Sequence, residues 1–561
     1  MPLIRSALTL AALALPLVVL PAMGQVPPAV QQSFDELRGD AIRAHVKFLS
    51  SDLLEGRGPG TRGDALATSY IASQFEAMGL QPAGDNGTYF QPVSLLGITT
   101  DPDKTRVELR RANGTSLGPL AYREQFVGGD QSQKEHVTVD SELVFVGHGV
   151  VAPEYQWDDY KGFDARGKTL VMLVNDPPAS EAEPELFKGR ARTYYGRWTY
   201  KFEIGTARGA DAVILIHTDA AAGYGWQVVR NSWTGEQAYV KNAPGQHALR
   251  FAGWVSQNVA QEMFKSAGLD LAAMTKAAAS RDFKPVPLGL RLNANVTSAI
   301  RPFETANVVA KLEGSDAKLK NEAVLYTAHH DHLGIGTPDD DDKSDTIYNG
   351  AIDNASGTAT ILEIARAWSE TKARPRRSIL FALVAAEEQG LLGSEYFGEH
   401  PAFPAGRIAM GLNIDALQLL GEVGSVTMIG IDRTTFFSVA QKVTQAMNLT
   451  IVPDQTPEQG SYYRSDHFSL AKVGVPAFSI KQGNDVVGKP ADWGPSKAKE
   501  YRDKHYHQAS DEYDPAWNFA AAVQMGRLAL WLGHEAANAP DKPMWLAGEE
   551  FYDVTSKARM R

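Results

Sequence analysis

The feature that most constrains the fold is a strand pattern that ends in a cluster of histidines and acids. The apolar run 323–328 predicts a buried strand, and the segment 329–332, with the sequence HHDH, follows it directly. Further along the chain, Asp353 stands just before a pattern that predicts a helix over 358–370. In open α/β sheets, sites lie beyond the carboxyl ends of the strands. Imidazoles and carboxylates so close together are costly to bury without a use, so the pattern indicates a metal site.

Three further apolar runs predict strands, and each lies beside acids or histidines. The runs and their polar neighbours are 378–386 with Glu387 and Glu388, 408–414 with Asp415, and 473–480 with the preceding segment 465–467. A continuous apolar run such as 378–386 is typical of a strand buried on both faces of a sheet. A single acid after a strand is usually a turn residue or a helix N-cap. The recurrence of acids and histidines at successive strand ends instead favours one shared site in an α/β fold.

The composition excludes some classes of partner. The chain has 561 residues, of which 43% are hydrophobic and 22% charged, as is ordinary for a globular protein. Its formal net charge is −11. Binding to nucleic acid or to an anionic membrane needs clustered Lys and Arg, so we expect neither partner. We also expect no transmembrane helix beyond the N-terminus.

The first residues predict a secretory signal peptide over 1–24. Arg5 supplies a positive start, and the apolar run 7–20 has the length of a signal-peptide core. Small residues at Ala22 and Gly24 make cleavage before Gln25 the expected processing step. An uncleaved anchor is the alternative, although the run is shorter than the ~20 residues that span a bilayer. The chain has no Cys, and we expect export to the bacterial periplasm or the medium.

The pattern of residues in the middle of the chain differs from that of the rest. Short β-like runs at 142–146, 169–174 and 212–216 are separated by turns rich in Gly, Pro and aromatic residues. We interpret residues 137–292, hereafter the insert, as a separate β-rich module within the chain. The flanking segments are an N-terminal part, a second α/β part and a C-terminal tail, at 25–136, 293–540 and 541–561.

Several motifs together resemble the co-catalytic zinc exopeptidases of metallopeptidase family 28, which include bacterial leucine aminopeptidases and glutamate carboxypeptidases. The motifs, in the order seen in that family, are His329-x-Asp331, residues 350–357, residues 386–394, residues 413–415, residues 465–467 and His507-x-x-x-Asp511. The resemblance covers roughly residues 40–535, and the combination of motifs is highly specific. The loop 51–63 resembles the N-terminal segment of the family, and the insert resembles a protease-associated domain.

The resemblance implies a mixed, mostly parallel β-sheet flanked by helices, with the insert as a protease-associated domain and 293–540 as the zinc peptidase domain. It also implies two zinc ions per chain and a set of residues that hold them. The bridging ligand would be Asp353, one zinc would add His329 and Asp415, and the other would add Glu388 and His507. Glu387 would be the general base, and Asp331 would hold His329 in place. A non-proline cis peptide is expected between Asp353 and Asn354.

The function that this resemblance implies is that of a secreted di-zinc aminopeptidase with peptide substrates. A metal-bridging hydroxide would be the nucleophile, and Glu387 would carry its proton to the leaving amine. A carboxypeptidase or dipeptidase of the same family stays an alternative. A non-catalytic binding protein is an alternative of another class, which the complete ligand set disfavours. A cyclase is also possible on this fold, although such relatives generally lack the insert.

Several polar residues near the motifs have more than one interpretation. His505 competes with His507 for the last ligand position, and the spacing to Asp511 favours His507. We expect packing or rim roles for His330 and His332. His467 is expected to support the site from behind or to be structural.

Three loop segments also keep more than one interpretation each. Residues 462–464, with the sequence YYR, could line the substrate pocket, steady a developing oxyanion or form a plain loop. Tyr194, Tyr195 and Trp198 could shape the roof of a cleft or fill the core of the insert. The acidic run 339–342 could bind Ca²⁺, although a solvated acidic loop is the more ordinary interpretation.

Overall fold

The computed structural model describes residues 26–222, 225–336, 344–372 and 374–554. The predicted signal peptide and the acidic run 339–342 lie outside these residues. Within the described ranges, every helix is too short or too polar to cross a membrane.

The helices and strands alternate along most of the chain. The helices are α1 Pro28–Glu36, α2 Gly39–Leu49, α3 Arg62–Ala77, α4 Trp198–Ala207, α5 Asp219–Ala222, α6 Trp226–Trp233, α7 Gln257–Ser266, α8 Leu271–Ala278, α9 Ser356–Glu370, α10 Leu392–Glu399, α11 Phe437–Ala446, α12 His467–Lys472, α13 Trp493–Lys504 and α14 Ala520–Asn538. The strands are β1 Gln81–Pro82, β2 Phe90–Thr100, β3 Arg106–Arg111, β4 Ser116–Pro119, β5 Phe126–Gly129, β6 His136–Phe145, β7 Val151–Ala152, β8 Trp157–Asp158, β9 Thr169–Leu173, β10 Ala212–Ile216, β11 Gln237–Val240, β12 Phe251–Val255, β13 Val286–Leu312, β14 Ala323–His329, β15 Gly334–Ile335, β16 Ile347–Tyr348, β17 Ser378–Val384, β18 Ile408–Ile414, β19 Ser425–Ile429, β20 Thr450–Ile451 and β21 Ala477–Gln482.

The first sheet has a parallel centre with antiparallel flanks. Strands β17, β14, β18 and β21 lie side by side in that order, and each pair is parallel. The antiparallel neighbours are β13 beside β17 and β19 beside β21. All residues of β14, β17 and β18 are buried, as expected for strands covered on both faces. The predicted α/β fold is therefore confirmed.

Helices cover both faces of this sheet. On one face, α9 lies against α1, α2 and α14 in the largest apolar core. The apolar positions that predicted α9, such as Ile361, Leu362 and Trp368, are all buried there. On the other face, Phe397 of α10 and Leu470 of α12 pack onto the strands. The two helix layers therefore bury the central strands from both sides.

The second sheet repeats this arrangement. Its parallel centre consists of β6, β9, β10 and β12, with β13 antiparallel beside β6 and β5 antiparallel beside β12. Helices α4, α7 and α8 pack around it, so the region is mixed α/β and not simply β-rich. The sheet also takes in β3, β4 and β5, which precede residue 137. The boundaries of the insert as a domain stay a prediction.

Strand β13 runs continuously through both sheets. Residues near its start pair with β3 and β6, and residues near its end pair with β17. Between these regions it forms a ribbon with β2, in which Thr100 stands opposite Ser298. The first part of β13 alternates between buried and exposed residues and does not form a continuous apolar run, so its sequence does not stand out as a long strand.

The insert also contacts the first sheet's helices directly. Lys472 of α12 forms an ion pair with Glu203 of α4, with Nζ and Oε1 3.4 Å apart. The ring of Tyr194 lies 5.2 Å from the ring of Phe468, measured between centroids. The Arg192 N–H donates to the Pro457 carbonyl at 3.1 Å. These contacts hold the insert against α12 and the loop at Pro457.

Candidate metal centre

The carboxyl ends of three parallel strands deliver the first group of candidate ligands. His329 is the last residue of β14, Glu387 and Glu388 follow β17, and Asp415 follows β18. Because β14 lies between β17 and β18, these side chains meet at one edge of the sheet. The turns beyond the strands carry Ala386 and Ala416 with φ of 52° and 57°. Left-handed backbone at non-glycine residues is strained, and such strain often accompanies functional sites.

Asp353 lies at the centre of the cluster, in the irregular turn 351–355 before α9. Its Oδ1 is 3.2 Å from His329 Nε2, and its Oδ2 is 3.3 Å from His507 Nε2. The two carboxylate oxygens therefore face imidazoles on opposite sides. The turn is fixed by Asp511, whose two oxygens each accept a hydrogen bond of 3.0 Å, from the N–H groups of Ile352 and Asp353. The expected cis peptide between Asp353 and Asn354 is present.

One side of the cluster consists of His329, Asp353 and Asp415. The Nε2 of His329 lies 3.3 Å from Asp415 Oδ1, and Ser465 donates to the other oxygen of Asp415 at 2.7 Å. Burial tends to lower the pKa of His329, but Glu387, Asp353 and Asp415 outweigh burial and raise it well above its ordinary value. The carboxylates thus create a strong demand for positive charge at this position.

The other side consists of Asp353, Glu388 and His507. His507 Nε2 lies 3.1 Å from Glu388 Oε2, and it makes no well-formed hydrogen bond within the described structure. The imidazole stacks on Tyr506, with ring centroids 3.9 Å apart. Burial lowers the pKa of His507, but Glu388 and Asp353 raise it to about 11. Burial and Asp353 raise the pKa of Glu388, whereas His507 and His332 hold it at about 2.

Glu387 and Asp331 lie beside these two groups. Glu387 is 10% exposed, with Oε2 4.0 Å from His329 Nε2, and burial raises its pKa well above the ordinary value. Asp331 accepts hydrogen bonds from the N–H groups of Glu387 at 3.1 Å and Glu388 at 3.4 Å. His329 Nδ1 is 3.2 Å from the main-chain oxygen of Asp331 and 3.8 Å from its carboxylate. Asp331 therefore holds the Glu387 turn more directly than it holds the imidazole.

Arg57 is a residue of this region that sequence analysis missed. It is buried, with φ of 51°, in the loop 51–63, for which sequence analysis named no individual residue. Its guanidinium donates to the carbonyls of His330, Asn349 and Gly350 at 2.8, 2.6 and 3.0 Å. It also donates to the Leu49 carbonyl. Burial lowers its pKa to about 10, while surrounding carboxylates raise it. Arg57 joins the ligand-bearing loops and offsets part of their negative charge.

His332 is closer to the cluster than the expected rim role implies. Its Nδ1 donates to Glu388 Oε1 at 2.6 Å, and its Nε2 is buried without a hydrogen bond among the described residues. His332, Asp353 and Glu388 lie close enough to share one cation. The ring also packs against Gly350, where a Cβ would lie 2.5 Å from it. The position of His332 three residues after His329, in the segment HHDH, was the sequence feature that could have indicated its contact with Glu388.

The other ambiguous residues lie outside the cluster. His505 Nδ1 contacts Ser510 Oγ at 3.1 Å, which leaves the central position to His507. His330 is buried, and its Nε2 donates to the Ala306 carbonyl at 3.1 Å. Burial lowers the pKa of His467 to about 3, as in a neutral core histidine.

Tyr462 and Tyr463 are buried in an aromatic cluster with the C-terminal segment. The hydroxyl of Tyr462 donates to the Ala477 carbonyl at 3.2 Å, and that of Tyr463 donates to Glu550 at 2.9 Å. Their polar groups are therefore engaged away from the metal centre. Tyr194 packs against the same cluster, so this residue of the insert contributes to packing.

The donor set fits zinc. Zn²⁺ prefers imidazole nitrogen and carboxylate oxygen in small coordination shells. His329, Asp353 and Asp415 lie close enough for one ion, and Asp353, Glu388 and His507 surround the space beside it. The carboxylates of Asp353, Asp415 and Glu388 favour positive charge beside them, since they raise the pKa of His329 and His507, and cations would supply such charge.

Comparison with known proteins gives a family match and several relatives. Residues 307–531 match the model described as Peptidase family M28. The chain is similar to leupeptin-inactivating enzyme 1 of Streptomyces exfoliatus, with 26% identity over 39% of this chain and 47% of that protein. It is also similar to leucine aminopeptidase 1 of Pyrenophora tritici-repentis, with 26% identity over 45% of this chain and 60% of that protein. The chain spans less than two thirds of the length of these relatives.

Solved structures also resemble this chain. The structure described as an aminopeptidase from Aneurinibacillus sp. strain AM-1 is 19% identical, with a TM-score of 0.49. The match covers 91% of this chain and 97% of the other.

Proposed function

We propose that this chain, whose residues 307–531 belong to peptidase family M28, is a zinc-dependent aminopeptidase that removes N-terminal residues from peptides. The observation that carries the proposal is the position of Asp353. Its two oxygens face His329 and His507, and Asp415 and Glu388 complete the two sides. This arrangement supports the proposal of two adjacent cation positions that share one carboxylate.

Each protein group has a distinct part in the proposed reaction. Bound zinc would supply Lewis acidity for the scissile carbonyl and would lower the pKa of water. The Glu387 carboxylate takes the proton of the attacking water on an oxygen and gives it to the nitrogen of the leaving amine. Asp331 fixes the main chain of Glu387 and Glu388, which keeps the base next to the ligand set. Ser465 orients Asp415 through its hydroxyl hydrogen bond.

Burial has a definite consequence for the base. The raised pKa of Glu387 means that the cluster without a cation favours the protonated acid. A cation beside the carboxylate would stabilise its ionised form. The same residue can therefore be an effective base only when the neighbouring positions carry positive charge.

A carboxypeptidase is the second candidate function, and one observation favours it. A cleft of about 820 Å³ between the insert and the first sheet's loops is lined by Arg190, Arg192, Arg197 and Arg464. Guanidinium groups suit carboxylate recognition, which a carboxypeptidase requires. The acid Glu458 lies in the same cleft.

The test pairs metal content with substrate choice. We would purify the chain, count metals per molecule and compare leucine amide with N-acetylated peptides that have a free C-terminus. Two zinc ions and cleavage of only the free-amine substrate are expected. Cleavage of only the N-blocked peptides would mean that the chain is a carboxypeptidase and not an aminopeptidase. A protein without metal and without turnover would overturn both.

Export is part of the same proposal. The predicted signal peptide over 1–24 supports delivery to the periplasm or the medium. Fractionation of cells that produce the full chain, followed by N-terminal sequencing, is expected to give a mature protein that begins at Gln25. Recovery of the intact chain in the cytoplasm would contradict this expectation.

A further inference from the structure

A large cavity, hereafter the insert cavity, lies at the carboxyl ends of the parallel strands of the second sheet. Its volume is about 1240 Å³, which exceeds the roughly 300–1,000 Å³ that is usual for small-molecule sites. Each of the four parallel strands contributes a wall residue from beyond its end, namely His148 after β6, Asn175 after β9, Thr218 after β10 and Gln257 after β12. Ligands of open α/β sheets usually bind at such strand ends.

The insert cavity is separate from the candidate metal centre, because neither Glu387 nor any of the five candidate ligands lines it. Several charged groups on its wall have partners within the protein. Glu262 and Lys265 of α7 pair with each other at 3.5 Å, and Asp270 accepts from the Ala273 N–H at 2.8 Å at the start of α8. Apolar side chains share the wall, among them Leu173, Ile216, Leu269 and Leu271. The cavity therefore suits a largely apolar molecule.

One buried polar atom of the wall offers a specific contact. His148 is 6% exposed, and its Nδ1 lies 3.0 Å from the Asn175 carbonyl oxygen. Because a carbonyl only accepts, Nδ1 carries the hydrogen, and the Nε2 of a neutral ring is then an acceptor. Nε2 makes no hydrogen bond within the part of the chain that the structure describes. A ligand in the insert cavity would satisfy it with an N–H or O–H group.

A buried ammonium group keeps this imidazole neutral. Lys201 is 0% exposed, and its Nζ donates to the main-chain carbonyls of His148 at 2.6 Å and Asn175 at 3.2 Å. Burial and the charge of Lys201 lower the pKa of His148 to about 3. The same charge disfavours a cationic ligand beside the ring. Nε2 is therefore an acceptor at neutral pH, and the donor that it suits belongs to an uncharged group.

We infer that the insert cavity binds a small, uncharged and largely apolar molecule that donates an N–H or O–H group to His148 Nε2. The apolar wall holds the body of this molecule, and the imidazole selects the donor. The site is independent of the peptidase reaction, since none of the groups proposed for catalysis takes part in it.

The test uses two ring molecules of nearly equal shape, indole and benzofuran. Indole donates an N–H, whereas benzofuran has an oxygen at that position and donates nothing. The purified chain is titrated with each compound, and dissociation constants are obtained from ligand-observed NMR. We expect indole to bind about tenfold more tightly than benzofuran, because only indole satisfies the buried acceptor.

His148→Phe keeps a ring and removes the acceptor, so the preference for indole should disappear in this variant. If His148→Phe does not fold, the wild type labelled with ¹⁵N-histidine provides the second measurement. The Nε2 resonance of His148 should then shift strongly with indole and little with benzofuran.

Variants of α8 place the binding in the insert cavity. Ala279 lines the cavity, and its neighbour Ala278 lies beside the turn at Gly147, where an added Cβ would be 3.2 Å away. Ala279→Phe should weaken indole binding about tenfold by filling this end of the cavity. Ala277 is exposed on the same helix and does not line the cavity, so Ala277→Phe is the matched control and should change binding less than about twofold. Thr275→Phe, on the cavity wall, replaces Ala279→Phe if that variant does not fold.

Three results would overturn the inference, and none of them concerns peptidase activity. The first is that the wild type does not bind indole. The second is that indole and benzofuran have equal dissociation constants in the wild type. The third is that the cavity variant and Ala277→Phe affect indole binding equally, because the bound indole would then lie elsewhere.

Discussion

The two sheets of this molecule have the same plan and different chemistry at their strand ends. Each has four parallel strands at its centre, and β13 is the antiparallel neighbour of both. In the first sheet the strand ends carry His329, Glu388 and Asp415 in direct contact with their neighbours. In the second sheet they carry His148 and Asn175 around a cavity.

This comparison indicates that the charge balance of the residues at the strand ends, more than the topology of the sheet, determines which kind of ligand they can bind. In the insert, Lys201 supplies a cation for Asp176 and Asp159, so the polar cluster is balanced by its own residues. At the metal centre, Arg57 is a buried guanidinium among several carboxylates, which also raise the pKa of His329 and His507 and so favour added positive charge. The first arrangement suits a neutral ligand, and the second suits divalent cations.

The largest expected effect comes from removing the shared charge at the metal centre. Asp353→Asn keeps the shape of the side chain and removes the charge that faces both imidazoles. We expect loss of at least one zinc per chain and a fall in kcat of more than about 10³-fold, because metal catalysis supplies several kcal/mol. Metal analysis and leucine amide kinetics measure both. If the variant kept two metals and full turnover, Asp353 would not be the ligand that both metals share.

Glu387→Gln separates catalysis from metal binding at the same strand end. We expect both metals to remain and kcat to fall by roughly 10²–10⁴-fold, the range for a lost general base. Glu370→Gln, at an exposed position in the last turn of α9, is the control and should leave kcat unchanged. A kcat near that of the wild type in metal-loaded Glu387→Gln would mean that Glu387 is not the general base.

Lys201→Met tests whether the insert cluster is internally balanced. Loss of the ammonium leaves buried carboxylates and carbonyls without their cation, so the free energy of unfolding should fall by about 3 kcal/mol. Zinc content should not change. Lys168→Met is the matched control, because the Lys168 pair with Glu142 is 33% and 37% exposed and should contribute under about 1 kcal/mol. Denaturant unfolding measures the free energy of unfolding of both variants. Equal decreases in Lys201→Met and Lys168→Met would contradict the proposal that Lys201 balances the buried charges of the insert.

The smallest expected effect concerns His332, which supports a ligand of the cluster through Nδ1. His332→Ala should weaken zinc binding about 10–100-fold, the usual effect of removing a group that orients a ligand. His332→Asn keeps an N–H donor near the Nδ1 position and should recover most of the affinity. Chelator competition measures the dissociation constant. Equal weakening in both variants would mean that His332 acts as a ligand or as packing.

Sequence analysis predicted most residues of the candidate metal centre, because they follow recognisable elements. His329 and Asp415 stand directly beyond apolar runs, and Asp353 stands before a periodic helix pattern. The structure brings all five candidate ligands together, while their binding of zinc stays a prediction. Parallel pairing explains why these residues meet, since the carboxyl ends of parallel strands lie at the same side of a sheet whatever the loops between them.

Other features depend on contacts that no local pattern records. Arg57 lies in a Gly-rich loop, and its burial follows from carbonyls on distant loops. The His332 contact depends on where Glu388 points. The second sheet begins at β3 because those residues pair with β13, which is far away in sequence. Burial of a charged side chain and long-range pairing are tertiary properties, so propensity and spacing could not predict them.

The pairing of Thr100 with Ser298 has a consequence for how such a chain could arise and be re-engineered. Residues 101–297 connect the paired residues Thr100 and Ser298, and they also contribute β11, which lies antiparallel to β2. The entropy of closing a loop grows only slowly with its length, so a long module at this point costs the sheet little more than a short turn. The ribbon is therefore a natural point of attachment, where a module can be gained, exchanged or removed while the sheet keeps its register.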